Sequence, residues 1–141
     1  MKLAYTAHAV ANGGGRDGLS RTDDGRVTVT LAPPTEMGGS GKGTNPEQLF
    51  ATGYAGCYLG AMRFAAKNAK IAMPDAATVN VNVGIGPRDD GEGFGLQVVM
   101  DVNLPGMDKA AAEDLTKRGH VVCPYSHSIK GNVQVTTNVT V

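Results

Sequence analysis

The chain has 141 residues, and its thirteen basic and thirteen acidic residues give a formal net charge of zero. This length can bury a core without disulfide staples, so we expect a single domain over residues 1–141. A neutral chain lacks the basic surface that nucleic acids and anionic membranes attract, so we expect neither as a partner. Two cysteines are too few for a disulfide framework, and the N-terminus is a poor signal peptide, which favours a cytoplasmic protein.

The first third of the chain has the pattern of an antiparallel meander. Residues 2–11 mix apolar, aromatic and β-branched side chains and predict a strand that leads into a glycine-rich turn. A second turn, Asp23-Asp24-Gly25, leads into the alternating residues 27–31, which predict another strand. The glycine-rich residues 38–43 then form a flexible loop that delivers the chain to a helix.

A long helix that contains Cys57 is predicted over residues 44–66, and the rest of the chain is organised around it. Asn45 can cap this helix, a proline follows at the first helical position, and Gln48 has the spacing of a capping box. No charged residue occurs in the stretch 49–62, and apolar or small side chains occupy every face, which is typical of a helix enclosed by protein. The run is shorter than the roughly 18 to 20 apolar residues that a bilayer requires.

The second half of the chain begins with a predicted β-hairpin. Residues 79–85 alternate strictly between apolar and polar side chains, which is the clearest strand pattern in the sequence. The turn at residues 89–93 leads into residues 94–104, whose apolar side chains share one face. These two segments therefore predict a long antiparallel hairpin.

A second helix and a last strand complete the predicted fold. Asp108 can cap a helix over residues 109–118, which we expect to end at Gly119. Residues 133–141 alternate and predict the last strand. No internal repeat is evident, and this order of elements predicts an α+β fold in which antiparallel sheets wrap around the central buried helix.

The face of the predicted helix that carries Cys57 is an apolar groove. The positions three, four and seven residues away share this face, namely Phe50, Gly53, Tyr54, Gly60, Ala61 and Phe64. The three glycines at positions 53, 56 and 60 each cost about 1 kcal/mol of helix propensity relative to alanine. We therefore expect another backbone to approach closely, from a second helix, a second copy of the chain or a ligand-holding loop. The alternative is that Cys57 is only a small core residue.

The second cysteine, Cys123, precedes a proline, which favours extended backbone at position 123. With His120 and His127 it forms a His-x2-Cys-x3-His pattern, and Cys57 would bring the number of soft-metal ligands to four. A zinc-binding structural protein is therefore an alternative, although this spacing differs from the paired short spacings of structural zinc sites. Core packing is a third interpretation of the cysteines.

A reactive Cys57 needs a nearby cation, because desolvation in an apolar groove raises the pKa of a thiol. Arg16 lies in a glycine-rich turn that permits close approach, and Glu47 in the first helical turn could hold it. A solvated surface pair is the ordinary alternative. On a straight helix Glu47 and Cys57 would be about 15 Å apart along the axis, so we expect the helix to break near Gly53 or Gly56.

Three segments resemble the organic hydroperoxide resistance (Ohr) branch of the Ohr/OsmC family. They are GGRDG at 14–18, GTNPEQLF followed by GYAGC within 43–57, and CPYS at 123–126. The resemblance covers essentially the full length, with the three segments in matching order and spacing. It implies an OsmC-like fold in an intertwined homodimer, with the cysteine helices at the centre and the active sites at the subunit interface.

The same resemblance implies a thiol-dependent peroxidase that reduces organic, fatty-acid-like hydroperoxides. Cys57 would be the peroxidatic cysteine and Cys123 the resolving cysteine. Arg16 would stabilise the thiolate and orient the peroxide, and Glu47 would hold Arg16. The expected substrate-binding residues are aromatic, namely Phe50, Tyr54 and Tyr125. The family binds no metal or flavin cofactor, and its reducing partners are dithiols of the dihydrolipoamide type, such as lipoylated proteins.

Overall fold

The computed structural model describes all 141 residues, which form two compact units, Met1–Leu49 and Phe50–Val141. Six strands and three α-helices give the α+β class that the sequence predicts. That residues 1–141 act as a single domain stays a prediction. None of the helices combines the length and the apolar character needed to cross a bilayer.

The first unit contains a three-stranded antiparallel meander. Its strands pair in sequence order and are β1 (Ala9–Gly13), β2 (Gly18–Thr22) and β3 (Thr28–Thr30). Strand β1 begins later than the predicted strand 2–11 and extends to Gly13, which pairs with Gly18. Gly13 and Gly15 have positive φ, a region that glycine adopts without steric cost. These glycines therefore form the tight turn that carries Arg16.

Helix α1 (Pro46–Ala69) is continuous. Its N-terminus has the predicted capping box, in which the Gln48 N–H donates to Asn45 Oδ1 over 2.9 Å and the Asn45 N–H donates to Gln48 Oε1 over 3.1 Å. The predicted break near Gly53 or Gly56 is wrong, because both glycines keep helical backbone and neither has a positive φ. Glycine lowers helix propensity without ending a helix that packing stabilises.

One face of α1 is exposed within the chain, so the expectation of a helix enclosed on every face is not met. The exposed positions recur every three or four residues and include Thr52, Gly56, Gly60 and Phe64. Phe64 is 56% exposed, so it does not line the predicted groove. Apart from the adjacent residues and the nearby backbone of the helix itself, no heavy atom lies within 4 Å of the place where a Cβ at Gly56 or Gly60 would be.

The second unit contains a mixed three-stranded sheet. Strands β4 (Thr78–Pro87) and β5 (Phe94–Asn103) form the predicted antiparallel hairpin. Strand β6 (Gln134–Thr140) also pairs with β5, but in parallel. The expectation of antiparallel pairing throughout is therefore wrong at β6, because the helices between β5 and β6 form a crossover that returns the chain in the same direction.

Helix α2 (Lys109–Val122) runs through Gly119, where the sequence predicts its end. Asp108 caps it as expected, with its carboxylate accepting the N–H of the third helical residue over 3.0 Å. Gly119 has a packing role instead, since a Cβ there would lie 2.6 Å from Met62 Cγ and 3.2 Å from Tyr58 Cζ. The packing of the Met62 and Tyr58 side chains against the backbone of α2 therefore requires a glycine at this position.

Cys123 lies at the corner between α2 and a short helix, α3 (Pro124–Ile129). Its φ of −69° and ψ of 119° are extended, as the following proline favours. Pro124 takes the first position of α3, where its missing N–H costs no hydrogen bond. The sequence does not predict α3, because six residues are too few to display a helical repeat.

Replacing Gly119 with alanine should lower the free energy of unfolding. The added methyl group must displace Met62 and the Tyr58 ring, and such overpacking costs about 1–3 kcal/mol. The higher helix propensity of alanine offsets about 1 kcal/mol of this cost. Urea denaturation followed by circular dichroism measures the change. In a Met62→Ala background, which removes the nearest clash and leaves only the contact with Tyr58, the same substitution should destabilise the protein less, and equal destabilisation in both backgrounds would contradict the packing role.

Candidate active site

Two free thiols lie together in the second unit. Cys57 Sγ and Cys123 Sγ are 3.5 Å apart, although 66 positions separate the two residues in the chain. A disulfide bond is about 2.0 Å long, so these sulfur atoms are close without being bonded. Cys57 is half-buried, whereas Cys123 has no exposed surface. Of the two thiols, Cys57 is therefore the one that a molecule from solvent can reach.

Two tyrosines of α1 hold the helices that flank Cys123. Tyr54 Oη lies 2.8 Å from Ser126 Oγ on α3, and the Tyr58 hydroxyl donates to the Thr116 carbonyl on α2 over 2.7 Å. Both tyrosines are fully buried. Burial raises the pKa of Tyr54 and of Tyr58 above the ordinary value, so both hydroxyls keep their protons at neutral pH. These hydrogen bonds join the helix of Cys57 to the corner that carries Cys123.

His120 makes two further side-chain contacts at this corner. Its Nδ1 lies 2.9 Å from Ser126 Oγ, and its Nε2 lies 2.9 Å from Thr137 Oγ1 on β6. The imidazole also packs on the Tyr58 ring, with 4.5 Å between the ring centroids. Burial lowers the pKa of His120, so the ring is neutral at pH 7, with one nitrogen donating and the other accepting.

The zinc alternative requires Cys57, His120, Cys123 and His127 to converge. Both ring nitrogens of His120 are instead within hydrogen-bond distance of hydroxyl groups, and His127 is exposed. Nowhere in the chain do three or more His, Cys, Asp or Glu side chains come together as a metal site. The fold therefore supplies no ligand set for the zinc alternative.

The three aromatic residues expected to bind substrate form one cluster beside the thiols. Phe50 and Tyr125 are stacked, with ring centroids 5.8 Å apart, and Phe50 meets Tyr54 edge-on at 5.7 Å. Gly53 makes room for this cluster, since a Cβ there would lie 3.1 Å from Tyr125 Oη. Phe50 and Tyr125 retain exposed surface, whereas Tyr54 is fully buried. Tyr54 therefore supports the other two rings and offers no surface to a ligand.

The environment of Cys57 opposes ionisation. Burial raises the pKa of the Cys57 thiol above its ordinary value, a hydrogen bond from the Tyr125 backbone opposes this rise, and the neighbouring Cys123 thiol adds to it. Desolvation penalises the charged form of any thiol, so a thiolate here needs a further stabilising group. This agrees with the requirement for a cation that the sequence indicates.

The first unit contains the ion pair that the sequence predicts between Arg16 and Glu47. Arg16 Nη2 lies 2.5 Å from Glu47 Oε2, and the side chains are 41% and 13% exposed, respectively. Glu47 lies in the first turn of α1 and Arg16 in the turn between β1 and β2. The low exposure of Glu47 and the short charge-assisted bond distinguish this pair from a fully solvated one. The catalytic roles of the pair stay predictions.

Sequence reasoning misses three polar residues whose hydrogen bonds hold the corner around Cys123: Tyr58, Ser126 and Thr137. Tyr58 follows Tyr54 by four positions and shares its helix face, so the spacing offered a signal for it. Ser126 lies in a helix too short to predict. Thr137 is one of several polar residues in an alternating strand, and nothing local distinguishes it from the others.

The model of the OsmC-like protein family matches residues 39–138 of this chain. An organic hydroperoxide resistance protein of Xanthomonas axonopodis pv. citri is 46% identical over 136 residues, which cover 96% of this chain and 94% of the relative. An uncharacterized protein of Acinetobacter baylyi is 50% identical over 134 residues, which cover 95% of this chain and 92% of that protein.

Solved structures agree with the sequence comparison. The crystal structure of an organic hydroperoxide resistance protein from Legionella pneumophila matches with a TM-score of 0.93 at 41% sequence identity. The match covers 99% of this chain and 100% of the other chain. Because the family match and the relatives span most of the sequence, this chain belongs to the OsmC-like protein family.

Proposed function

We propose that this protein is a thiol-dependent peroxidase that reduces organic hydroperoxides to alcohols. The observation that carries the proposal is the pair of unbonded thiols 3.5 Å apart, of which one is accessible and the other fully buried. The names of relatives in two organisms, which are organic hydroperoxide resistance proteins, support this class of substrate.

Cys57 is the proposed peroxidatic residue because it is the accessible member of the pair. Its thiolate attacks the distal oxygen of the hydroperoxide, so that an S–O bond forms and the O–O bond breaks. The alkoxide leaves and takes a proton to become the alcohol. The hydroperoxide is the oxidant in this step, and Cys57 is oxidised by two electrons to a sulfenic acid.

Cys123 is the proposed resolving residue because its sulfur lies next to that of Cys57 and is shielded from solvent. It attacks the sulfenic sulfur, the S–S bond forms, and the S–O bond breaks. The leaving hydroxide combines with the proton of the Cys123 thiol to give water. No further oxidant is consumed in this step, because the two-electron oxidation of Cys57 is redistributed over the two sulfur atoms of the disulfide.

A dithiol is the proposed reductant that completes the cycle. Its thiolate attacks the disulfide and, through a mixed disulfide, returns both cysteines to thiols while the dithiol becomes a disulfide. We propose the dihydrolipoamide type, carried on lipoylated proteins, as the family resemblance implies. The cycle uses no bound metal or flavin. It requires a reducing compartment, and we propose the cytoplasm.

Arg16 is the proposed cation that favours the Cys57 thiolate. Burial raises the pKa of the Cys57 thiol, and a nearby guanidinium would oppose that rise by favouring the charged form. Its N–H groups can also donate to the peroxide oxygens. Glu47 would hold the guanidinium in place through the 2.5 Å contact, which restricts an otherwise flexible side chain.

We propose that the site prefers organic hydroperoxides because their apolar tail can pack against aromatic side chains. Phe50 and Tyr125 present a stacked aromatic surface beside Cys57. Burial against such a surface stabilises a bound alkyl chain by about 0.8 kcal/mol for each CH₂ group. Hydrogen peroxide has no apolar group and gains nothing from this surface.

We propose a homodimer that packs along the exposed stripe of α1. The stripe, which comprises Thr52, Gly56, Gly60 and Phe64, exposes a large aromatic side chain, and the exposed Arg63 borders it. Gly56 and Gly60 leave open space that the backbone of a second copy can approach closely. These features support the intertwined homodimer that the family resemblance implies.

One equivalent of cumene hydroperoxide should convert the reduced protein to a Cys57–Cys123 disulfide. Thiol titration and intact-mass measurement should show the loss of both thiols and of two hydrogens. Cys57→Ser should not react, whereas Cys123→Ser should react once and accumulate a sulfenic acid that dimedone traps. Identical behaviour of the two variants would contradict the division of roles, and retention of both thiols in the wild type would overturn the peroxidase.

Arg16→Gln should raise the pH at which Cys57 becomes reactive. Loss of a neighbouring opposite charge raises a pKa by about 1–3 units. The stopped-flow rate constant with cumene hydroperoxide at pH 7 should therefore fall by about tenfold or more, and it should recover as the pH rises. Arg118→Gln is the matched control, since it breaks an exposed ion pair with Asp114 on α2. An unchanged pH profile in Arg16→Gln would exclude the electrostatic role.

Gly60→Leu should weaken the dimer, because a leucine side chain fills the space that the second copy would occupy. Sedimentation velocity over a dilution series should show a larger monomer fraction than in the wild type. Ala110→Leu, at an exposed position of α2, is the control and should leave the association unchanged. A monomeric wild type, or unchanged association in Gly60→Leu, would contradict the proposed interface.

A further inference from the structure

We propose that His120 is a positioning residue that keeps Cys123 within reach of Cys57 and thereby promotes disulfide formation. Its place in the catalytic cycle rests on the proposed peroxidase function. The geometry that it controls, however, is a property of the thiol pair and can be measured without any peroxide. His120 would act through the corner and touch neither sulfur nor substrate.

His120 and Ser126 bracket Cys123 at equal distances along the chain. His120 lies in the last turn of α2 and Ser126 in α3, and the 2.9 Å contact between Nδ1 and Oγ spans the corner. The backbone hydrogen bonds at the corner join Cys123 N–H to the Gly119 carbonyl and His127 N–H to the Cys123 carbonyl. Each of these bonds belongs to one helix, so the side-chain bond is what connects the two helices across Cys123.

The same imidazole ties the corner to the sheet. Its Nε2 lies 2.9 Å from the hydroxyl of Thr137 on β6, a strand that pairs with β5 along its whole length. Ser126 in turn lies 2.8 Å from the hydroxyl of Tyr54 on α1. A single chain of hydrogen bonds therefore connects the sheet, the corner and the helix of Cys57, in the order Thr137, His120, Ser126, Tyr54.

An open pocket of about 490 Å³ lies beside this chain of hydrogen bonds and is lined in part by His120, Ser126 and Thr137. Cys123 belongs to the apolar core, which buries the residue but has little directional preference. The hydrogen bonds beside the pocket add the directional restraint that apolar packing lacks. This directional restraint on the corner is the contribution that we assign to His120.

A histidine suits this position because its rigid ring presents nitrogens on two sides to two hydroxyl groups. Each hydroxyl can donate or accept, so both hydrogen bonds form whichever nitrogen carries the proton. The ring packs on Tyr58, which limits its rotation. Burial lowers the pKa of His120, which keeps the imidazole neutral and avoids placing a charge beside the buried corner.

The consequence is specific to one step of the cycle. The two sulfur atoms must move from 3.5 Å to the bonding distance of about 2.0 Å. A looser corner would spread Cys123 over positions from which its sulfur rarely meets that of Cys57, which lowers the effective concentration of one thiol at the other. Attack of Cys57 on a hydroperoxide forms no bond to Cys123, so that step should depend much less on His120 than disulfide formation does.

The effective concentration of the two thiols tests the proposal directly. The reduced protein is equilibrated with oxidised and reduced glutathione, so that two protein thiols and one oxidised glutathione give the protein disulfide and two glutathione thiols. Quenched mass spectrometry measures the fraction oxidised. His120→Ala should lower the effective concentration by about tenfold or more, which corresponds to a reduction potential higher by about 30 mV.

Two further variants keep the test decisive if His120→Ala folds poorly. Thr137→Val removes one hydroxyl with little change in volume and should lower the effective concentration in the same direction. His120→Asn can keep the contact with Ser126 and should recover part of the loss. Thr136→Val, at an exposed position of the same strand, is the matched control and should have no effect. Wild-type values in both His120→Ala and Thr137→Val would overturn the proposal.

Single-turnover kinetics with cumene hydroperoxide provide the second readout. In His120→Ala the rate constant for oxidation of Cys57 should stay within about twofold of the wild type, whereas disulfide formation should slow by about tenfold or more, with more sulfenic acid trapped by dimedone. Equal slowing of both steps would indicate a general structural role and overturn the inference. If the wild type does not react with the hydroperoxide but His120→Ala still lowers the effective concentration measured with glutathione, the proposed peroxidase function is wrong and the positioning role of His120 is supported.

Discussion

The 3.5 Å approach of two unbonded sulfur atoms is the constraint on which the rest of the second unit depends. In the reduced protein no covalent bond holds Cys57 and Cys123 together, so the fold alone must bring a helix and a corner from distant parts of the chain close enough for their sulfur atoms to meet. Gly119 leaves room for the side chains of α1 against the backbone of α2, and the hydroxyls of Tyr54 and Tyr58 then fix the corner on α1.

Hydrogen bonds accomplish here what an apolar core alone does not. Apolar burial is proportional to area and has little directional preference, so it brings α1 and α2 together without setting the distance between two particular atoms. A buried hydroxyl that loses its hydrogen-bond partner lowers the stability of the fold by about 1–3 kcal/mol, so shifts of the helices that break these bonds are unfavourable. No buried side-chain nitrogen or oxygen in the chain lacks a partner, which is the condition under which polar groups in a core specify one arrangement.

The sequence predicts features set by local chemistry and fails where a distant partner decides. The capping box of α1 follows from residue types and spacing. The pairing of Arg16 with Glu47, which joins distant parts of the chain, is favoured over a solvated surface pair only by the family resemblance. Gly119 has the composition of a helix stop, but it continues the helix because residues of α1, far away in the sequence, need the space. Gly53 likewise has the composition of a helix break, but the helix continues through it, and its missing side chain leaves room for the Tyr125 ring. The parallel pairing of β6 likewise depends on the path of the chain and not on the strand pattern.

The glycines of α1 divide the surroundings of Cys57 along the helix axis. Toward the N-terminal end, the ring of Tyr125 covers Gly53, while its backbone contacts the thiol. Toward the C-terminal end, Gly56 and Gly60 leave open space within the chain. Tyr125 would therefore give a ligand at Cys57 an aromatic wall toward the N-terminal end of the helix. In the proposed dimer the second copy would supply the opposite wall. The glycines of α1, which lower its helix propensity, would then serve both the association of the subunits and the shape of the substrate site.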